Sequence, residues 1–175
     1  MKLNETDGSL SDICRTVEKS VAEVDCLRAV QLPVKLLADF DSLGPPITPR
    51  DPTAYNRPSH TILVNASTFF SFPRGNAQFA LAHEIGHHTH DVGITTSSTE
   101  FSGVHSCLVA DWLAAKWGFE QELRTERLKS RGEEYCEQMS RLTSEDKFLA
   151  WVIDWERRFN IAELRKRYQN PPPAS

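Results

Sequence analysis

Residues 78–87 read Gln78-Phe79-Ala80-Leu81-Ala82-His83-Glu84-Ile85-Gly86-His87. On a helix His83 and His87, four apart, project from one face a single turn apart. That spacing lets two imidazoles share one tetrahedral cation, with Zn–N distances of about 2.0–2.1 Å. Glu84, beside the first histidine, can take the proton of an attacking water without being a ligand itself. Phe79, Leu81, Ala82 and Ile85 would bury the helix, and Gly86 permits close approach of a neighbouring segment. The expected helix runs from about Asn76 to His90. His88 points about 100° away from His87, and three ligands along one straight helix do not converge, so His88 and His90 read as surface or packing histidines.

Before this helix, His60–Asn65 (HTILVN) is short and β-rich, which predicts a strand. An edge strand at Thr61–Asn65 would bind a peptide main chain to main chain; an interior strand with no ligand role fits the pattern equally. Asp41–Ser59 carries prolines at 45, 46, 49, 52 and 58, which predicts a loop or extended arm, with 44–58 either a lid over the cleft or a passive connection. Further upstream, Leu10, Ile13, Val17, Val21, Val24 and Leu27 recur at helical spacing, and Val34–Phe40 reads as a short second helix after Pro33.

Downstream, 91–103 is rich in Gly, Ser and Thr and reads as loop. A helix follows over about 104–117, ended by Gly118. The charged stretch 119–142 is helical, and 144–159 and 161–168 predict two more helices. The fold class is α+β, mostly α-helical, with one or a few strands. A single domain over 1–175 is expected: N-terminal helices at 9–40, a core at about 60–118, and a C-terminal helical extension at 119–169.

A site of this kind needs a third protein ligand and keeps one position for water. In the gluzincin pattern that ligand is a glutamate on a downstream helix, in the form ExxAD or ExxSD, with the aspartate supporting a zinc-bound histidine. Here Ala110-Asp111 lies where that pair is expected, and the position three before Ala110 is Cys107. Cysteine binds zinc as thiolate at about 2.3 Å, but it donates more charge than carboxylate and weakens the ion as a Lewis acid. Cys107 is the candidate third ligand, with Glu100 and His105 as rivals. Asp111 is the candidate partner of a ligand histidine. Tyr55, His60 and His105 are candidate donors to a tetrahedral oxyanion.

The run 78–87 with the preceding Thr61–Asn65, together with Ala110-Asp111-Trp112-Leu113-Ala114-Ala115, resembles the ImmA/IrrE family of metallopeptidases over roughly residues 60–116. The resemblance implies a zincin core: a small sheet, an HExxH helix and a second ligand-bearing helix. It also implies zinc on His83 and His87, Glu84 as base, and a protein substrate of the helix-turn-helix repressor kind. The family's third-ligand glutamate falls on Cys107, which alters that part of the transfer.

The chain has 175 residues, 39% hydrophobic and 25% charged, with a formal net charge of −4. This composition is that of a soluble globular protein and argues against a general nucleic-acid binder. Cys14, Cys26, Cys107 and Cys136 are scattered, as reduced thiols of a cytosolic protein would be. No signal-peptide pattern or run of about 20 apolar residues is present, so the expectation is cytoplasmic, with export by a specialised system the alternative. Trp151 and Trp155, at i and i+4, read as a helix-packing face. The cluster Arg157, Arg158, Arg165, Lys166 and Arg167 reads as a solvated helix face. The expected function is zinc-dependent peptide-bond hydrolysis in a protein substrate. The alternatives are a binding or regulatory protein with a structural or thiolate-inhibited zinc, and an exported metallo-effector.

Overall fold

The computed structural model describes residues 11–13, 15, 16, 19, 34–41, 43, 47–91 and 106–169, with backbone alone at 156 and 159–169. Three strands, β1 (Val34–Leu37), β2 (Thr53–Asn56) and β3 (Thr61–Asn65), form one mixed sheet in the order β1-β3-β2. Among the described residues six α-helices follow: α1 (Ala66–Phe69), α2 (Arg74–Asp91), α3 (Ser106–Lys116), α4 (Glu120–Arg131), α5 (Glu133–Arg141) and α6 (Glu145–Gln169). The protein is therefore α+β and mostly helical. It divides into two compact units, Met1–Arg141 and Leu142–Ser175.

Thr61–Asn65 is the central strand, not an edge. It pairs parallel with β1 (Val34↔Ile62) and antiparallel with β2 (Thr53↔Val64). Ile62, Leu63 and Val64 are all buried, because both faces of the strand are covered, and such strands read as continuous apolar runs. Leu63 and its partner Ala54 pack with Phe40 on one face. Since side chains alternate, Thr53 and Tyr55 share the other face with Ile62 and Val64. That face meets α2.

Val34–Leu37 is a strand rather than the start of a short helix. Its helix-compatible residues are claimed by the ladder to β3, a non-local pairing that overrides local propensity. Likewise Thr53–Asn56 is an edge strand inside the proline-rich arm. The prolines do not prevent this because they flank the strand: the Pro52 carbonyl accepts from Asn65 N–H at 2.9 Å, and Pro58 lies in the 3₁₀ turn Arg57–Ser59. That bond also fixes the parity of the ladder. Ala54 and Asn56 turn their main-chain groups toward β3, and Thr53 and Tyr55 turn theirs to the opposite edge. Buried Asn65 donates to the carbonyls of Pro49 (3.0 Å) and Asp51 (3.2 Å), so this part of the arm is a pinned wall. The segment whose apolar residues recur at helical spacing from Leu10 to Leu27 is helical at residues 11–13, 15, 16 and 19; the rest of it lies outside the described residues, as does most of the expected loop over 91–103.

Helix α2 starts two residues earlier than expected, at Arg74, just after Pro73. In α3 every residue from Leu108 to Ala115 is buried, as expected of a helix apolar on all sides. Gly118, at φ 94°, ends the chain of turns after it. Gly132, at φ 85°, splits the expected 119–142 helix into α4 and α5. Helices α2 and α3 make the largest interhelical contact, and Gly86 is where they meet. A Cβ there would lie 2.7 Å from Ala110 Cα and 3.0 Å from its carbonyl oxygen. Backbone cannot yield as a side-chain tip can, so Gly86→Ala must push the two helices apart. Denaturant unfolding is expected to show a loss of about 1–3 kcal/mol, typical of overpacking. An unchanged midpoint would contradict this contact.

In the second unit, α6 runs unbroken where two helices were expected. Trp151 and Trp155 have ring centroids 5.2 Å apart, and Arg158 pairs with Asp154 at 3.0 Å. The side chains of Arg165, Lys166 and Arg167 lie outside those described.

Candidate metal centre

His83 and His87 project from one face of α2, with their Nε2 atoms 3.1 Å apart. Cys107, the second residue of α3, brings its Sγ to 3.8 Å from His87 Nε2. One ligand atom from each residue lies within 4.8 Å of the others, and the three could hold a metal ion. Tetrahedral zinc needs roughly 3.3 Å between two nitrogens and roughly 3.6 Å between nitrogen and sulfur. The 3.1 Å between the two nitrogens and the 3.8 Å from His87 Nε2 to the sulfur lie within a few tenths of an ångström of those values. His83 and His87 are only 8% and 9% exposed, while Cys107 is exposed. Glu100 and His105 lie outside the described residues.

Asp111, 1% exposed, sits behind His83, with Oδ1 2.7 Å from His83 Nδ1. The imidazole N–H points off the direct line to that oxygen; the contact is close but not ideally aligned. Holding Nδ1 in this way leaves Nε2 facing the other ligand atoms. The carboxylate also accepts from Arg127 Nε (2.9 Å) and Nη2 (3.2 Å) and from Tyr135 Oη (2.7 Å). Sequence reading placed Asp111 but missed Arg127 and Tyr135. One signal for Arg127 was available: it stands four residues after Leu123, which α4 buries completely, so a cation falls on a buried face.

The electrostatics follow from these contacts. Burial pulls the His83 pKa down. The close contacts with Asp111 and Cys107 and the charges of Asp111 and Glu84 outweigh it, raising the pKa to about 10 in the metal-free protein. Burial and the neighbouring His83 lower His87 to about 3, which keeps it neutral, with an Nε2 lone pair turned toward His83 Nε2. Asp111 is held well below the usual carboxylate range: burial opposes ionisation, but His83 and Arg127 overcome it. For Glu84, burial dominates and raises the pKa, tempered by His83, the Thr53 hydroxyl and the Tyr55 backbone amide.

Glu84 also lines a cleft of about 540 Å³ that runs along α2 from the ligand residues toward Asn76. Ile47, Phe72, Phe79 and Ala80 supply its apolar walls, and Thr53 and Tyr55 bring the edge of β2 into it. Of the candidate oxyanion donors, Tyr55 lines the cleft, and its hydroxyl lies 2.8 Å from His60 Nδ1. The Tyr55 ring lies nearly parallel to His87 at 6.2 Å. His88 is a packing histidine, buried with its ring edge-on to Tyr55.

In comparison with known proteins, no protein-family model, no curated protein and no solved structure matches the chain.

Proposed function

We propose that the protein is a zinc-dependent peptidase with a zincin core of the ImmA/IrrE kind, in which His83, His87 and Cys107 hold the metal and Glu84 is the general base. The observation that carries this reading is the convergence of two buried imidazoles and a thiol beside the half-buried Glu84 carboxylate in a cleft. The donor set is one that zinc favours over harder cations. When bound, zinc supplies Lewis-acid polarisation of the attacking water and the scissile carbonyl.

The chain's own residues do the rest. Burial makes Glu84 a better proton acceptor than an exposed carboxylate, so it can take the water's proton and deliver it to the leaving amine. Thr53 Oγ1, 3.5 Å from Glu84 Oε1, and the Tyr55 amide orient that carboxylate. The outward main-chain groups of Thr53, beside it, suit an extended peptide that adds a strand to β2. The apolar walls exclude water from the peptide next to the reacting bond. The test is to incubate the zinc-loaded protein with a proteome-derived peptide mixture and identify new amino termini by mass spectrometry. Termini that form with the wild type and not with Glu84→Gln support hydrolysis. Identical mixtures contradict it.

One observation favours a second reading, a structural or regulatory zinc: the third donor is a thiol, whose charge blunts the ion's Lewis acidity. Under that reading Glu84→Gln changes nothing measurable.

A further inference from the structure

We propose that Cys107 is an oxidative modification site, at which a peroxide converts the thiolate to sulfenic acid and so releases the metal. The inference rests on the metal-binding reading above. Its support is the asymmetry of the ligand set. Both imidazoles are buried, whereas Cys107 is exposed at the rim of the cleft, on the first turn of α3. An oxidant in solution therefore reaches the sulfur without any opening of the fold.

The other described thiol differs. Cys136 is buried on α5, and burial pushes its pKa up, two features of an inert structural cysteine. A carboxylate at position 107 would bind metal and ignore peroxide. A thiolate there adds oxidation chemistry to the most exposed of the three ligands.

The step balances. The Cys107 thiolate sulfur attacks one peroxide oxygen, an S–O bond forms and the O–O bond breaks. Sulfur is oxidised by two electrons, and the departing hydroxide takes a proton to become water. The sulfenic acid is neutral and a poor zinc donor, which leaves two histidines, too few for a stable site. Two equivalents of a low-molecular-weight thiol reverse the change: the first forms a mixed disulfide and expels water, and the second regenerates Cys107 with release of the small disulfide.

The experiment treats zinc-loaded full-length protein with hydrogen peroxide. It follows zinc release with a chromogenic chelator and locates sulfenic acid by dimedone labelling and peptide mass. The expected result is release of about one zinc per chain, with the label on Cys107, and recovery of binding after dithiothreitol and fresh zinc. Cys107→Glu should keep its zinc under the same treatment. If Cys107→Glu does not load, the labelling of wild type decides. The proposal is overturned if loaded wild type keeps its zinc in peroxide, or if release accompanies a label on another cysteine only. Wild type that never holds zinc fails at an earlier step, which removes the metal-binding reading along with this one.

Discussion

Replacing Glu84 by Gln is expected to lower peptide hydrolysis by about 10²–10⁴-fold, the usual worth of a positioned general acid–base, while zinc per chain stays unchanged. The amide is nearly the same size as the carboxylate. It can still accept from Thr53 Oγ1 and the Tyr55 amide, so the fold has no reason to respond. It cannot take a proton from water at neutral pH. The loss should therefore appear in kcat, with little change in KM. A variant that retains full hydrolysis would remove Glu84 from the chemistry.

Asp111→Ala is the substitution with the largest expected effect on stability. It strips one buried carboxylate from Arg127, Tyr135 and His83 together. Removing one partner of a buried pair costs about 3–5 kcal/mol because the remaining charge is left uncompensated. For a chain of this size that is roughly 6–20 °C in Tm. Zinc affinity should also fall by about 10–100-fold, as for other losses of a partner behind a ligand histidine.

The same pair governs the metal-free protein's response to pH. The folded pKa of His83 is raised, so its contribution is full below the unfolded value of about 6.5 and is lost as pH rises through about 10. The folded pKa of Asp111 is lowered, so its contribution is present above about 3.9 and is lost as pH falls through its folded value. Stability of the metal-free wild type should thus decline from pH 6.5 toward 10, and Asp111→Asn should flatten that slope. An identical slope in both proteins would dissociate His83 from Asp111.

What could be read from the sequence was local. The spacing of His83 and His87, the position of Ala110-Asp111 and the need for glycine at 86 are properties of single helices or of two matched helix faces. The 2.7 Å approach of a Gly86 Cβ to Ala110 is the contact those residue types imply. What could not be read was non-local. The strands at 34–37 and 53–56 are too short to carry a periodic signal and exist because β3 lies between them. Without β2 recognised, Thr61–Asn65 could as well have been an edge. Tyr135 reaches Asp111 across 24 residues, and no local pattern ties those two positions together.

The most direct test of the central claim is zinc per chain, by elemental analysis, for wild type, His83→Ala and Cys107→Ser purified under reducing conditions. The account predicts about one zinc in the wild type and loss of it in both variants, since each removes a donor from a three-ligand site. A wild type that binds no zinc when it is supplied would contradict the account outright. Zinc that survives Cys107→Ser but not His83→Ala would contradict the assignment of Cys107 and, with it, the oxidation site.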